Sequence, residues 1–457
     1  MSAGATGRGP RAAEGAPLRF TGMLEALDDD ALRQLLDRST SSDAAVRART
    51  AEIVARVRED GDDALRALAR EYDGVELGAL EVPRAAWDAA LLALEPALRA
   101  AMERAAANVR TAHEAFRPQP VEVETEPGVL VGRRPDPLRR VGVYAPGGRA
   151  AYPSSVLMGV VPAKVAGVAE VVVCSPPGPD GLPSPVVLAA AALGGADRVF
   201  ALGGAGAVAA MAHGTATVPR VDRIVGPGNA YVAEAKLQVA GAVAIDSPAG
   251  PSELLVIADF SADPQAVARE LLAQAEHDPR AAVVAVVVGE ELASEVTTAI
   301  ARLLPDEPRA AVIAEALATS GGVLVAQDYD RAIAFANEYA PEHLLLAVYE
   351  AEQDTILARL RGAGTVFVGL SSSVAFGDYM TGANHVLPTG GLARSYSGLS
   401  TLDFVRWTSW QRVTGEAAAR MAGDVGTFAD SEGLPGHAAA ARFWGQNEAT
   451  RLAGEEL

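Results

Sequence analysis

The sequence predicts an α/β protein of two successive doubly wound units, with helices ahead of the first and a tail behind the second. Three observations carry this. Apolar residues recur every three or four positions as far as about Phe116, and near Leu138 give way to short β-rich runs ending in Gly/Pro turns. From there strand-like and helix-like runs alternate, as in a parallel sheet with helices on both faces. The chain of 457 residues has room for two to four domains at roughly 150 residues each.

Taken in order, residues 1–20 are rich in Gly, Ala and Arg and read as a disordered extension. MLEALDDDALRQLLDR and VRARTAEIVARVREDGDDALRALAREYDG follow with helical spacing. Asp28-Asp29-Asp30 suits a solvated helix start, Ser42-Asp43 an N-cap and Gly74 a C-terminal stop. A further helix is expected over Asp88–Phe116, and 21–137 counts as an N-terminal helical segment. The first α/β unit spans 138–248. RRVGVYAPGG and AEVVVCSPPG are its first strands, with the helix-like VLMGVVPAKVAGVA between them. RVFALGGAGAVAAMAHG and RIVGPGNAYVAEAKLQVAG repeat the strand–turn–helix order. The second unit spans 249–393. SELLVIADF, AAVVAVVVG, GGVLVAQD, HLLLAV and GTVFVG are its strands; DPQAVARELLAQAEH, EELASEVTTAIARLL and DRAIAFANEYA are its helices. The tail, 394–457, contains TLDFVRWTSWQRV and a last helix near Ala438–Trp444.

Composition narrows the function. Lys+Arg 39 against Asp+Glu 58 gives a net charge of −19, which argues against a nucleic-acid binder or a protein docked on an anionic membrane. A single cysteine, Cys174, excludes an internal disulfide and thiolate metal sites, and its place ending an apolar strand suits a small core residue. No continuous apolar stretch opens the chain, and the longest apolar runs, such as Ala281–Val288, are too short to span a bilayer. A cytoplasmic protein is expected.

Several polar motifs stand out, each with a plain structural reading beside it. Gly204-Ala205-Gly206-Ala207-Val208-Ala209 fits the dinucleotide fingerprint after a strand, with Asp222 about 20 residues on; it fits a tight strand-to-helix turn equally well. Gly226-Pro227-Gly228-Asn229 could be a helix-start turn capped by Asn229, and Ala249–Glu253 a connector between the units. Gln274 and His277 lie one helical turn apart and share a face. Glu342-His343 follows a bend at Pro341. Asp378 and His385 flank the loop FGDYMTGANH, and Glu432 and His437 sit in SEGLPGH. Each histidine alone is most simply structural. Together they offer the N and O donors of a catalytic zinc site, with no short-spaced ligand pair to show that they converge.

VGVYAPGG, GPGNAYVAEAK, AIDSPAGPSELLVIAD, LLAQAEHDP, NEYAPEHL, GDYMTGANHVLPTGG, ARSYSGLSTLDF and EGLPGH occur in this order between about Met23 and Arg442. With them the chain resembles the histidinol dehydrogenase family. The resemblance implies a four-electron oxidation: L-histidinol and two NAD give L-histidine and two NADH through an enzyme-held aldehyde, the last step of histidine biosynthesis. It implies one zinc per subunit, held by Gln274, His277, Asp378 and His437, which binds the substrate imidazole and amine. It makes Glu342 and His343 the catalytic pair, with His343 a base of pKa near 7. Ser252, His385 and Glu432 become substrate contacts beside His343 and the zinc ligands. Tyr144 and Asn229 become NAD contacts. Gly206 stands where the family carries a glutamine that contacts NAD, so that side-chain amide is missing here. The resemblance further implies a homodimer with two incomplete Rossmann-like domains, the N-terminal helical segment packed on the second, and a tail crossing to the partner's site. Two rivals are a relative oxidising another small diol, such as a sulfonated propanediol, and a non-catalytic metal-binding module. Glu432 and His385 speak for an amine- and imidazole-bearing substrate, and the Glu342-His343 pair against the module.

Overall fold

The computed structural model describes residues 16–38, 43–147 and 151–455, with 447–455 by their backbone alone. Along the chain the strands are β1 (Phe20–Met23), β2 (Val121–Glu126), β3 (Val129–Pro137), β4 (Arg140–Tyr144), β5 (Glu170–Ser175), β6 (Arg198–Ala201) and β7 (Arg223–Val225). They continue with β8 (Ala244–Ile245), β9 (Glu253–Ala258), β10 (Ala282–Val288), β11 (Gly321–Ala326), β12 (His343–Ala347), β13 (Thr365–Val368) and β14 (Val405–Val413). Among the described residues they form three sheets. Two are wholly parallel, in the orders β6-β5-β4-β7-β8 and β1-β11-β10-β9-β12-β13. The first starts at the inner strand β4, grows to one side, then returns to the other; the second does the same from β9, with β1 from the N-terminal segment added at its edge. The strand order therefore reverses between β4 and β7, and again between β9 and β12.

The sequence pattern explains why these strands are central. β10 reads AVVAVVV and is buried on both faces, as a helix-covered parallel strand must be. Its alternate residues feed two cores. Val283, Ala285 and Val287 pack with the helices Pro264–Ala275, Glu290–Leu303 and Ala310–Ser320. Val284 and Val286 pack with Tyr329–Tyr339 and with Asp29–Leu36, through Leu35. Cys174 is fully buried in β5, as a core residue.

The chain divides into two compact units. One takes the chain up to Phe116 together with Leu138–Phe404 and holds both parallel sheets. The other takes Arg117–Pro137 with Val405 onward; there β14, β3 and β2 form an antiparallel sheet, accompanied by the helices Gly415–Ser431 and Pro435–Glu455. The tail thus separates at Val405 rather than Arg394.

The structure corrects the N-terminal expectations. Residues 1–15 and Ser42 lie outside the described residues. Residues 16–20 are no loose extension: Leu18 packs on the core, and Phe20 opens β1, which pairs with β11. Burying one Phe side chain contributes about 1.5–3 kcal/mol, enough to hold a strand whose composition looks disordered. The helical segment does not pack as one body on the second sheet. Among the described residues β1, the turn Leu24–Ala26 and Asp29–Leu36 do so; the helices Ala44–Asp60, Arg84–Leu92 and Pro96–Ala115 pack on the helices of the first. Pro96 at a helix start splits the long helix expected over Asp88–Phe116. Residues 121–137 are strands, announced by the alternating VEVETE and the Pro127-Gly128 turn. Asp28, Asp43 and Gly74 cap as the sequence suggests.

Candidate active site

Each parallel sheet gathers chemistry at one edge, and the two edges are opposite. In the second sheet, Glu253 is the first residue of β9 and His343 the first of its neighbour β12, so both stand at the amino edge. The helix Pro264–Ala275 runs back from the carboxyl edge and delivers Gln274 and His277 there; the helix Val374–Tyr379, after β13, delivers Asp378. Ala340 ends the preceding helix in a left-handed conformation (φ 50°), the only non-glycine at positive φ among the described residues, and Pro341 then turns the chain into Glu342-His343. A left-handed alanine costs roughly 1–2 kcal/mol, and such strain gathers at functional sites.

His343 is the hub. Its Nδ1–H donates to the Glu253 carbonyl at 3.0 Å and lies 3.4 Å from Glu342 Oε2 and 3.5 Å from the Gln274 amide. Its Nε2 is buried with no hydrogen-bond partner, 3.7 Å from Asp378 Oδ1. Ser252 Oγ lies 3.3 Å from His277 Nδ1. His385 Nδ1 donates to the Asp378 carbonyl at 2.8 Å, and its Nε2 meets Ser155 Oγ at 3.3 Å. Ser155 belongs to a helix covering the first sheet, so both sheets reach the site. Burial opposes a charged imidazole at His343, but the carboxylates of Glu342 and Asp378 outweigh it and push the ring up to about 9. That exceeds the value near 7 expected of the base; a cation held by Asp378 acts in the opposite direction. At His385 burial dominates and lowers the value.

The residues present fit a zinc ion. Gln274, His277 and Asp378 offer amide oxygen, imidazole nitrogen and carboxylate oxygen, all suited to it, and the orphaned His343 Nε2 faces the same space. Among the described residues no three His, Cys, Asp or Glu side chains converge as a metal cage. Gln274 is outside that class, and the fourth expected donor, His437, belongs to the other unit. There His437 lies at the start of the helix Pro435–Glu455, and Glu432 caps the helix Gly415–Ser431; both are exposed.

The first sheet offers its opposite, carboxyl edge. Tyr144 ends β4, buried, and its hydroxyl accepts the Gly204 N–H at 3.1 Å; burial pushes the phenol up to about 12. Gly226 follows β7 at φ 115°, where a Cβ would fall 2.1 Å from the Tyr144 carbonyl oxygen, so only glycine brings this loop against β4. Buried Lys236 and Asp246 brace the loop: Lys236 Nζ donates to the Gly226 carbonyl at 3.1 Å, and Asp246 accepts the Gly226 N–H at 2.8 Å. Asn229 caps the next helix, accepting from Tyr231 and Val232. Tyr144 and Gly226–Asn229 thus flank the point where the strand order reverses, the usual ligand crevice of such sheets.

The dinucleotide fingerprint fails. Gly204–Ala209 follows β6, the edge strand, and Asp222 lies across the sheet at the amino end of β7, accepting the Arg140 N–H at 2.8 Å. Gly206 itself is buried; a Cβ there would lie 3.0 Å from Leu68 Cδ1 and 3.7 Å from Leu65 Cδ2. The position faces the helix Asp62–Leu68. Gly206→Gln is therefore expected to destabilise the protein by about 1–3 kcal/mol through overpacking, and to leave KM for NAD within about twofold. Thermal unfolding and initial rates check this; a severalfold drop in KM at constant kcat would instead restore the amide contact.

The sequence did not single out Arg38, Ser155 or the supporting role of Glu253. Glu253 left a signal, as a carboxylate heading an otherwise apolar strand. Arg38 left none, since only the fold carries it to the site.

Comparison with known proteins gives a consistent likeness. The family model described as histidinol dehydrogenase matches residues 36–443. A histidinol dehydrogenase of Halobacterium salinarum is 51% identical over 412 residues, 90% of this chain and 96% of the relative. That of Methanosarcina barkeri is 43% identical over 420 residues, 92% of this chain and 96% of the relative. The crystal structure of histidinol dehydrogenase from Elizabethkingia anophelis superimposes with a TM-score of 0.90 at 32% identity, covering 96% of this chain and 100% of that one.

Proposed function

The chain belongs to the histidinol dehydrogenase family, and we propose that the cluster around Glu342 and His343 is where it oxidises L-histidinol. It is a zinc- and NAD-dependent oxidoreductase acting on a CH–OH group, and its product is L-histidine. One observation carries the assignment of the site: a buried histidine whose Nδ1–H is fixed by a backbone carbonyl and whose Nε2 has no partner, beside a second carboxylate.

With Nδ1 engaged, Nε2 holds the free lone pair. It takes the proton of the substrate alcohol as hydride leaves to NAD. The aldehyde must then be hydrated before a second hydride can leave. Glu342 has one oxygen tied to the Glu253 N–H at 2.8 Å, and its carboxylate takes the proton of the attacking water. As the water adds, His343 returns its proton to the aldehyde oxygen, and so regains the lone pair with which it accepts the proton of the hydrate as the second NAD is reduced. Ser252 and His385 are the substrate contacts this chain supplies, and burial keeps the aldehyde from escaping. Gln274, His277 and Asp378 would hold the zinc together with His437 of the partner subunit, whose tail would also bring Glu432 to the substrate amine in a homodimer. Zinc, when bound, anchors the imidazole and amine of the substrate. Tyr144 and Asn229, in the crevice of an incomplete Rossmann-like sheet, would hold NAD. Among the described residues no helix is long and apolar enough to cross a membrane, and we place the reaction in the cytoplasm.

An NADH assay with L-histidinol, run against propanediol sulfonates, tests the reading. Two NADH per histidinol, with histidine as product, are expected. Turnover of the sulfonate alone would overturn it. The charged side chains that meet His343 already disfavour that outcome: Glu342 and Asp378 are carboxylates, which repel a sulfonate.

A further inference from the structure

Behind the catalytic pair lies a buried ion pair that the reaction does not use. Arg38 and Glu253 have side chains 7% and 3% exposed, and meet through two bonds, Nε to Oε1 at 2.9 Å and Nη2 to Oε2 at 3.2 Å. Arg38 also donates to the Tyr339 carbonyl at 2.6 Å and lies over the Tyr339 ring, 3.4 Å from its centroid. The Gly390 N–H donates to Glu253 Oε1 at 2.7 Å. A buried ion pair is seldom worth its desolvation cost as stability alone, and apolar replacements often serve as well.

What Glu253 touches in front gives the pair a different purpose. Every polar group of Glu253 not spent on Arg38, Gly390 or the β9–β10 ladder addresses Glu342 or His343. Its N–H donates to Glu342 Oε2 at 2.8 Å, its side-chain Oε2 accepts the Glu342 N–H at 3.3 Å, and its carbonyl accepts His343 Nδ1–H at 3.0 Å. These three bonds set the Glu342 carboxylate, the Glu342 backbone and the His343 tautomer together. We propose that Glu253, clamped by Arg38, is the positioning residue of the catalytic pair, holding Nε2 of His343 and the free oxygen of Glu342 in working orientation. The inference rests on the reading of Glu342 and His343 as catalytic. Arg38 follows the helix Asp29–Leu36 by two residues, so the N-terminal segment supports the site as well as covering the sheet.

The test is a double-mutant cycle on the zinc-loaded enzyme. Arg38→Lys keeps the charge but not the two-point grip, and Glu253→Gln keeps the shape but not the charge. Each is expected to lower kcat about 10- to 100-fold, with zinc content unchanged and KM for NAD within about twofold. In a His343→Asn background the same changes should cost less than about twofold more, because loss of the base then limits turnover at the alcohol step, ahead of the step that uses Glu342. Unchanged kcat per zinc-loaded site in the single variants would overturn the proposal. So would the full loss repeated in the His343→Asn background, which would mark a general structural role. Should Arg38→Lys fail to fold, Glu253→Gln carries the same comparison. If His343→Asn alone kept normal turnover, the catalytic reading itself would fall, a result distinct from the other two.

Discussion

His343→Asn is expected to lower kcat about 10²- to 10⁴-fold, the worth of a positioned general base, in a protein that still folds and holds zinc. Asparagine can keep a donor towards the Glu253 carbonyl, so the loss falls on the free Nε2 lone pair rather than on the strand. KM for NAD should change little, since the NAD contacts proposed lie on the other sheet. Glu342→Gln divides the reaction. Only the second half consumes water, so conversion of histidinal to histidine should suffer far more than conversion of histidinol to histidinal. Single-turnover NADH bursts resolve the two halves. Normal histidine formation from histidinal in Glu342→Gln would remove Glu342 from that role, and near-normal steady-state turnover in His343→Asn would remove the base.

Legibility in the sequence followed how local each feature was. The parallel strands could be read because burial on both faces leaves no alternation to misjudge: AVVAVVV and HLLLA can hardly be anything else. Helix starts were legible where the cap is one residue away, as at Asp28 and Asn229. Gln274 and His277 could be grouped because one helical turn joins them. The meeting of Gln274 with His343, and of His343 with Glu342 and Asp378, was legible only through the resemblance, since neighbouring β9 and β12 bring together residues some 90 positions apart, as in the His343–Glu253 bond. The failures have the same cause. β3 pairs with β14 across the whole chain, so a tail and a supposed helical segment turned out to share a sheet. The fingerprint at Gly204 had correct local chemistry but hung on the edge strand, with its acidic partner at the wrong end of the sheet. Spacing along the chain cannot distinguish the two ends of a strand's neighbour.

His437→Ala is expected to abolish zinc binding and lower turnover about 10³-fold or more, the equivalent of about 4 kcal/mol of lost transition-state stabilisation. Cutting the chain at Arg394 is a poorer test, because it also strips β14 from β3. The point substitution leaves that sheet intact, as His437 is exposed at the start of the last helix. The proposal that this ligand comes from the partner subunit has a sharper consequence. In a mixture of inactive His437→Ala and inactive His343→Asn chains, a heterodimer builds one site from both mutated segments and the other from both intact ones. Random exchange makes half the dimers mixed, so about a quarter of all sites should regain zinc and turnover. If each chain completed its own site, every site would carry one lesion. Exchange verified by native mass, with no activity regained, would place His437 on the same chain as the His343 it serves.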